Sequence, residues 1–418
     1  MEGANVKRPA RALRILAAAC VVFASLPHDA RAQDFELHGY LDMRAVLPSD
    51  ETSWTNGGLG KSRFGGGNGA EAKFAGVLAA TWHPTPSLVA VADLQYPTGK
   101  DRRLDVLDAY LRYRPVSLTP WRWSAKFGAF FPPVSLENDG IGWTSPWTLT
   151  PSAINSWVGE ELRTIGAELH FEYRGASNSF EGSAAAFVNN DPAGELIAAR
   201  GWSLGDATSG LNSSLREPDV YASLIGAAAP VGYRPFDEID NRIGWYANLG
   251  WESPAYGKIT LLRYDNRGDP TRFEHYDGRD VFAWHTEFWS LGAQTRIDDI
   301  VLIAQAIDGS TSFEPVPELY LDTKLHAAYL LAGWDRGDWR PALRIDVFSL
   351  HQLPDFLPDP LSEHGHALTA ALNWRPNDRI RVTGEWLRID STRNQRLLEG
   401  LSPRQIDEQL QLNLRVLF

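Results

Sequence analysis

From Phe35 onward, apolar and polar residues alternate with period two in segments of about ten residues, the spacing of strands with one apolar face. At the end of the chain, Leu410, Leu412, Leu414, Val416 and Phe418 share one face, and Gln411, Asn413 and Arg415 share the other. In 340–350, Leu343, Ile345 and Val347 oppose Arg344 and Asp346. In 161–174, Ile165, Ala167, Leu169, Phe171 and Tyr173 oppose Thr164, Glu168, His170, Glu172 and Arg174. In 242–252, Ile243, Trp245, Ala247, Leu249 and Trp251 oppose Arg242, Tyr246, Asn248 and Glu252. The whole pattern predicts sixteen strands: 35–46, 70–82, 87–96, 104–114, 121–131, 161–174, 180–189, 242–252, 257–266, 281–292, 300–308, 323–334, 340–350, 365–375, 379–389 and 409–418. Strands 257–266 and 281–292 alternate poorly and receive no facing.

The connectors alternate short and long throughout. The short ones are 83–87, 115–120, 175–179, 253–256, 297–299, 335–339 and 375–378, each rich in turn formers. Trp82, Tyr113, Trp121, Trp251, Tyr256, Trp334, Trp339, Trp374 and Phe418 stand beside them, which predicts a ring of aromatics at one membrane interface. An even number of strands, short turns at one end and long loops at the other predict an all-β fold, a transmembrane antiparallel β-barrel of 16 strands. The last strand would pair with the first and remove both edges. The terminal Phe418 resembles the signal that outer-membrane barrels present to their assembly machinery.

One connector is out of scale. Residues 190–241 form a long extracellular loop with an Ala/Gly-rich apolar piece from Val220 to Val231. It reads as a lid or interior plug, with a further hairpin, giving 18 strands, as the alternative.

The chain begins with Lys7, Arg8, Arg11 and Arg14, an apolar run from Ile15 to Leu26, and Ala30-Arg31-Ala32. That order is a secretory signal peptide over 1–32, leaving 33–418 as the barrel. The only cysteine, Cys20, lies inside the leader. The formal net charge of −12 opposes nucleic-acid binding, which needs a basic footprint. The expected setting is the outer membrane of a Gram-negative bacterium, with lipopolysaccharide and the barrel-assembly machinery as partners. Inward charges of both signs predict a wet lumen lined by Lys126, Glu168, His170, Arg344, Asp346, Arg379, Arg381 and Arg415.

In Lys126 to Glu137, residues Gly128, Phe130, Pro133, Ser135, Leu136 and Glu137 resemble the G-x-F-x-x-P-x-S/G-L-E stretch of the phosphate-selective porin family. The resemblance implies a sixteen-strand barrel, often trimeric, that passes small hydrophilic solutes, with 132–160 as the loop that constricts the channel. Val134 departs from the aromatic common at that position, and the loops carry no lysine cluster. The constriction candidates are instead Glu137, Asp139, Glu160 and Glu161, with Arg163 just beyond. An acidic constriction attracts cations or neutral solutes.

Two further motifs remain. Gly201-Trp202-Ser203-Leu204-Gly205 matches the G-x-S-x-G nucleophile elbow, which would make the chain an outer-membrane lipid hydrolase using Ser203. His364-Gly365-His366 could offer two imidazoles to a metal, although a loop-to-strand junction explains it equally. No cofactor or metal spacing is otherwise present. The leading expectation is a passive diffusion porin and no enzyme; the hydrolase and a non-conducting structural or adhesion barrel are the alternatives.

Overall fold

The structure is a computed structural model that describes residues 35–67, 69–96, 104–354 and 360–418. The expected leader, 1–32, lies outside the described residues. The strands are β1 (Phe35–Leu47), β2 (Glu71–Thr85), β3 (Leu88–Tyr96), β4 (Asp105–Tyr113), β5 (Trp121–Phe130), β6 (Thr164–Arg174) and β7 (Ser179–Val188). They continue with β8 (Leu215–Arg216), β9 (Gly232–Tyr233), β10 (Gly244–Ser253), β11 (Gly257–Asp265), β12 (Phe273–Tyr276), β13 (Arg279–Phe282) and β14 (His285–Ile297). The last six are β15 (Ile300–Val316), β16 (Leu319–Trp334), β17 (Trp339–Leu353), β18 (Glu363–Asn377), β19 (Ile380–Arg393) and β20 (Arg404–Leu417).

Sixteen of these close an antiparallel barrel in the order β1 to β7, β10, β11, then β14 to β20. β20 returns to β1 with Leu417 opposite Tyr40 and Leu410 opposite Leu47. Beyond the last ladder pair, the Gly39 and Phe418 backbones exchange both N–H···O bonds, at 3.0 and 3.1 Å. The eighteen-strand alternative does not hold. β8–β9 and β12–β13 are two separate small sheets in the long connectors.

The facing follows the alternation. Leu343, Ile345 and Val347 are exposed to the outside, whereas Arg344 and Asp346 between them are buried. Near the short turns the outward aromatics pair across strands, Trp121 with Tyr173 at 4.8 Å and Trp339 with Trp374 at 6.0 Å. An apolar band bordered by an aromatic ring is what a lipid bilayer selects on the outside of a closed barrel. The protein is an outer-membrane β-barrel.

Three expectations shift. The tenth barrel strand begins at His285, because residues 279–282 pair with 273–276 in the small hairpin. The stretch 161–163 is connector and helix end, so that strand begins at Thr164. The expected long connector 309–322 is absorbed into β15 and β16, whose ladder runs to Val316 opposite Leu319 with only Pro317 and Glu318 between. The wall is therefore uneven: β3 to β7 are 9 to 11 residues long and β15 is 17.

Candidate functional site: the loops inside the barrel

Two of the long connectors fold into the lumen. The third, between β5 and β6, carries helix α1 (Ala153–Glu161), capped by Ser152, whose side chain accepts from the Asn155 amide. The fourth, between β7 and β10, carries α2 (Glu195–Arg200) and α3 (Asp219–Leu224). Every residue of α1 and α2 is buried. Ile154, Trp157 and Val158 of α1, with Ile197, Trp202 and Leu204 of the fourth connector, pack in one cluster against the inward side chains Phe288, Ile303, Ile307, Leu325, Leu331, Leu387 and Ile389. Trp157 meets Trp202 edge-on at 5.9 Å and Phe288 at 5.5 Å. Full burial of each such side chain is worth about 1.5–3 kcal/mol, so the contact is a second core enclosed by the strands.

Polar anchors fix both loops. Arg344 on β17 donates to the Thr150 and Pro151 carbonyls at 2.7 and 2.9 Å and pairs with Asp346 at 2.8 Å and Glu137 at 3.3 Å. Glu137 accepts from the Ser152 amide at 2.6 Å and Asn155 Nδ2 at 2.9 Å, and Asp346 accepts from the Ala153 amide at 3.0 Å. Glu161 accepts from Trp157 Nε1, the amides of Gly194, Leu196 and Ile197, and the Tyr233 hydroxyl, all within 3.1 Å. One carboxylate thus ties α1 to the first turn of α2, whose amides have no partners within the helix. Glu160 pairs with Arg200. Lys61, from the first connector, pairs with Glu363 at 2.8 Å and donates to the Arg200 carbonyl at 2.6 Å. Gly201, at φ +84°, lies so close to the wall that a Cβ there would overlap the Glu363 carboxylate. Burial pushes the Glu160 carboxyl up to about 7 despite Arg200, and lowers the Lys61 ammonium to about 7 despite Glu363.

Four of the five residues expected to form a constriction therefore hold the loops in place. Glu137, Glu160, Glu161 and Arg163 are wholly buried, and Asp139 alone is exposed. Arg163 donates to the Ser209 carbonyl at 2.6 Å and stacks 3.3 Å over Phe131. Among the lumen candidates, Lys126 pairs with Glu168 at 3.3 Å and His170 is half-buried, both facing the interior. Arg344 and Asp346 lie beneath the docked loop instead of lining water. Arg379 departs from the expected inward facing: it sits exposed on the short turn before β19, because the strand starts one residue later than expected. Ser203 follows α2 instead of preceding a helix; it is 2% exposed and its hydroxyl has no hydrogen-bond partner among the described residues, so the nucleophile-elbow geometry is missing.

Between the docked loops and the wall of β1, β2, β3, β19 and β20 remains a cleft with a cavity of about 50 Å³. Asp42, Arg44, Arg63, Asp206, Arg381 and Arg415 line it. Asp206 bridges Arg44 at 2.8 Å and Arg63 at 2.7 Å, and Asp42 holds Arg415 at 2.7 Å. Arg381 donates to the Ser145 carbonyl at 3.3 Å, and no ion pair to it is found among the described residues. The inward facing of Asp42 and Arg44 was readable from the alternation Leu41, Met43, Ala45. Arg63 and Asp206 come from loops, and no sequence period announces them.

No family model matches the sequence, and no curated protein does. Solved structures do match in fold. The outer-membrane channel DcaP of Acinetobacter baumannii aligns with TM-score 0.55 at 11% identity, over 94% of this chain and all of that one. The trimer form of in-vitro folded OmpT, an outer membrane protein of Vibrio cholerae, aligns with TM-score 0.51 at 8% identity, over 92% of this chain and 99% of that one. OmpF of Salmonella typhi, in complex with daunomycin, aligns with TM-score 0.50 at 11% identity, over 92% and 97%. At such identities the likeness is one of fold alone, and this chain shares the closed β-barrel architecture of these outer-membrane proteins.

Proposed function

We propose that the chain is a passive diffusion channel in the outer membrane of a Gram-negative bacterium, passing small hydrophilic solutes through the cleft beside the docked loops. Four arginines against two aspartates around that cleft carry the reading, and they favour anions over cations. This reverses the preference expected from the loop's acidic residues, of which Glu137, Glu160 and Glu161 spend their charges on internal partners. The phosphate-selective likeness is supported only to the extent of a net positive passage. A homotrimer accords with the trimer form of a neighbour of the same fold. Lipopolysaccharide outside the barrel and the assembly machinery at the Phe418 strand complete the proposed partners.

A second reading has its own observation. The loop core and the small cavity suit a barrel that is closed at rest. Planar-bilayer recording of the purified barrel in a KCl gradient separates them. Discrete open steps with an anion-side reversal potential support the channel, cation preference overturns the arginine assignment, and silence from folded protein favours the closed barrel.

A further inference from the structure

The outward face of the tall wall changes character at one level. On β15 it runs Ile300, Leu302, Ala304, Ala306 and then Asp308; on β16, read upward, Leu330 and Ala328 and then His326. On β17 Ile345 and Val347 give way to Ser349 and His351, and on β18 Ala370 and Leu368 give way to His366 and His364. On β19, Trp386 gives way to Arg388 and Asp390. The ladder aligns these positions, with Ser349 opposite both His326 and His364. Above the apolar band the outside of the barrel meets headgroups and water, so an ion can reach this level from the external medium.

We propose that His364 and His366 chelate a divalent transition-metal ion, with Asp390 as a third ligand. The two histidines lie two residues apart on β18, hence on the same face about 6.6 Å apart along the strand. Both are exposed, with no hydrogen bond or ion pair among the described residues, so both rings are free to rotate onto a common ion. The other outward histidines are engaged: His285 with Asp265 at 3.1 Å, His326 with Asp308 at 2.7 Å, and His351 with Ser362 at 3.5 Å. Gly365, between the pair, faces the interior, where a Cβ would press on the Phe348 ring at 2.6 Å. That packing fixes the strand's facing and keeps both imidazoles outward. Asp390 is the direct cross-strand partner of His366, which brings its Cβ within about 5.5 Å. Arg404 grips the Asp390 carboxylate at 2.6 and 3.0 Å and orients it. Two imidazoles and one carboxylate form a donor set suited to Zn²⁺, Ni²⁺ and Cu²⁺, with Cu²⁺ the tightest by the usual affinity order. The remaining positions fall to water. The site is independent of whether the barrel conducts.

The test uses folded barrel in detergent, purified without a histidine tag, with CuCl₂ and ZnCl₂ as probes. Calorimetry should give one saturable ion per chain, and electron paramagnetic resonance of the Cu²⁺ form should show nitrogen ligation. Both signals should vanish in His364→Ala and in His366→Ala, and affinity should fall about tenfold in Asp390→Asn. His326→Ala and His285→Ala should leave binding unchanged. Heat-modifiable gel migration confirms that each variant is folded. Absence of saturable binding overturns the proposal. So does binding that survives the double His364→Ala/His366→Ala variant, which would move the ion to the outward Asp265, His285 and Glu287 group.

Discussion

Arg344 and Glu137 meet at 3.3 Å with neither side chain exposed, and that contact joins the barrel wall to the loop that crosses its interior. A buried pair of this kind is expensive to break from one side, because the partner left behind keeps its charge and loses its solvation. Arg344→Met strands both Glu137 and Asp346 and should cost about 3–5 kcal/mol of loop docking. The check is protease nicking within 131–163, which should appear in the variant while the barrel keeps its heat-modifiable migration. Arg344→Lys restores a charge without the planar fork and should fall between the two.

Trp202 anchors the fourth connector through an apolar ring and an N–H donated to the Ser349 carbonyl at 3.0 Å. Trp202→Ala should weaken its docking by about 3–5 kcal/mol, the cost of emptying a large aromatic site. Single-channel recording should then show a larger or more frequently open conductance than the parent.

Among the described residues no carboxylate pairs with Arg381, so in the proposed channel its charge would act on passing ions with the least cancellation. Arg381→Glu should move the reversal potential in a KCl gradient toward the cation side. Every 1.4 kcal/mol of altered ion energy corresponds to about a tenfold change in permeability ratio. An unchanged reversal potential would remove the cleft from the conduction path.

Glu160 supplies a pH dependence whose sign follows from burial. Its carboxyl titrates near 7 in the docked state against 4.5 for a free glutamate. The docked state therefore holds a proton that the undocked one releases between those values, and docking strengthens as pH falls through that window. Open time in bilayer recordings should shorten toward the acidic end of that window. Glu160→Gln, which mimics the protonated form, should keep the short openings throughout.

The barrel itself was legible because outward positions on a lipid-facing strand must be apolar at every second residue, as Leu343, Ile345 and Val347 are. The docked interior was harder to read. Arg344, seen only as an inward charge, looks the same whether water or a loop covers it. A signal was nonetheless present in β15, where Val301, Ile303 and Ile307 are apolar on the inward face and Leu302 and Ala304 on the outward one. A strand apolar on both faces is buried on both faces, which a water-filled lumen does not require. The arginine cleft was half legible. Arg415 and Arg381 follow from alternation, whereas Arg63 and Asp206 reach it from irregular backbone.

The enclosed core also sets an order of events during biogenesis. Trp157, Ile197 and Trp202 leave the ribosome well before β14 to β19, which furnish their apolar seat. Until those strands arrive the loops have only the part of the seat that β5, β7, β10 and β11 supply, and much of their aromatic surface stays in need of protection. A chain cut short after β11 should therefore be a stickier client for periplasmic chaperones than its alternating strands alone would suggest.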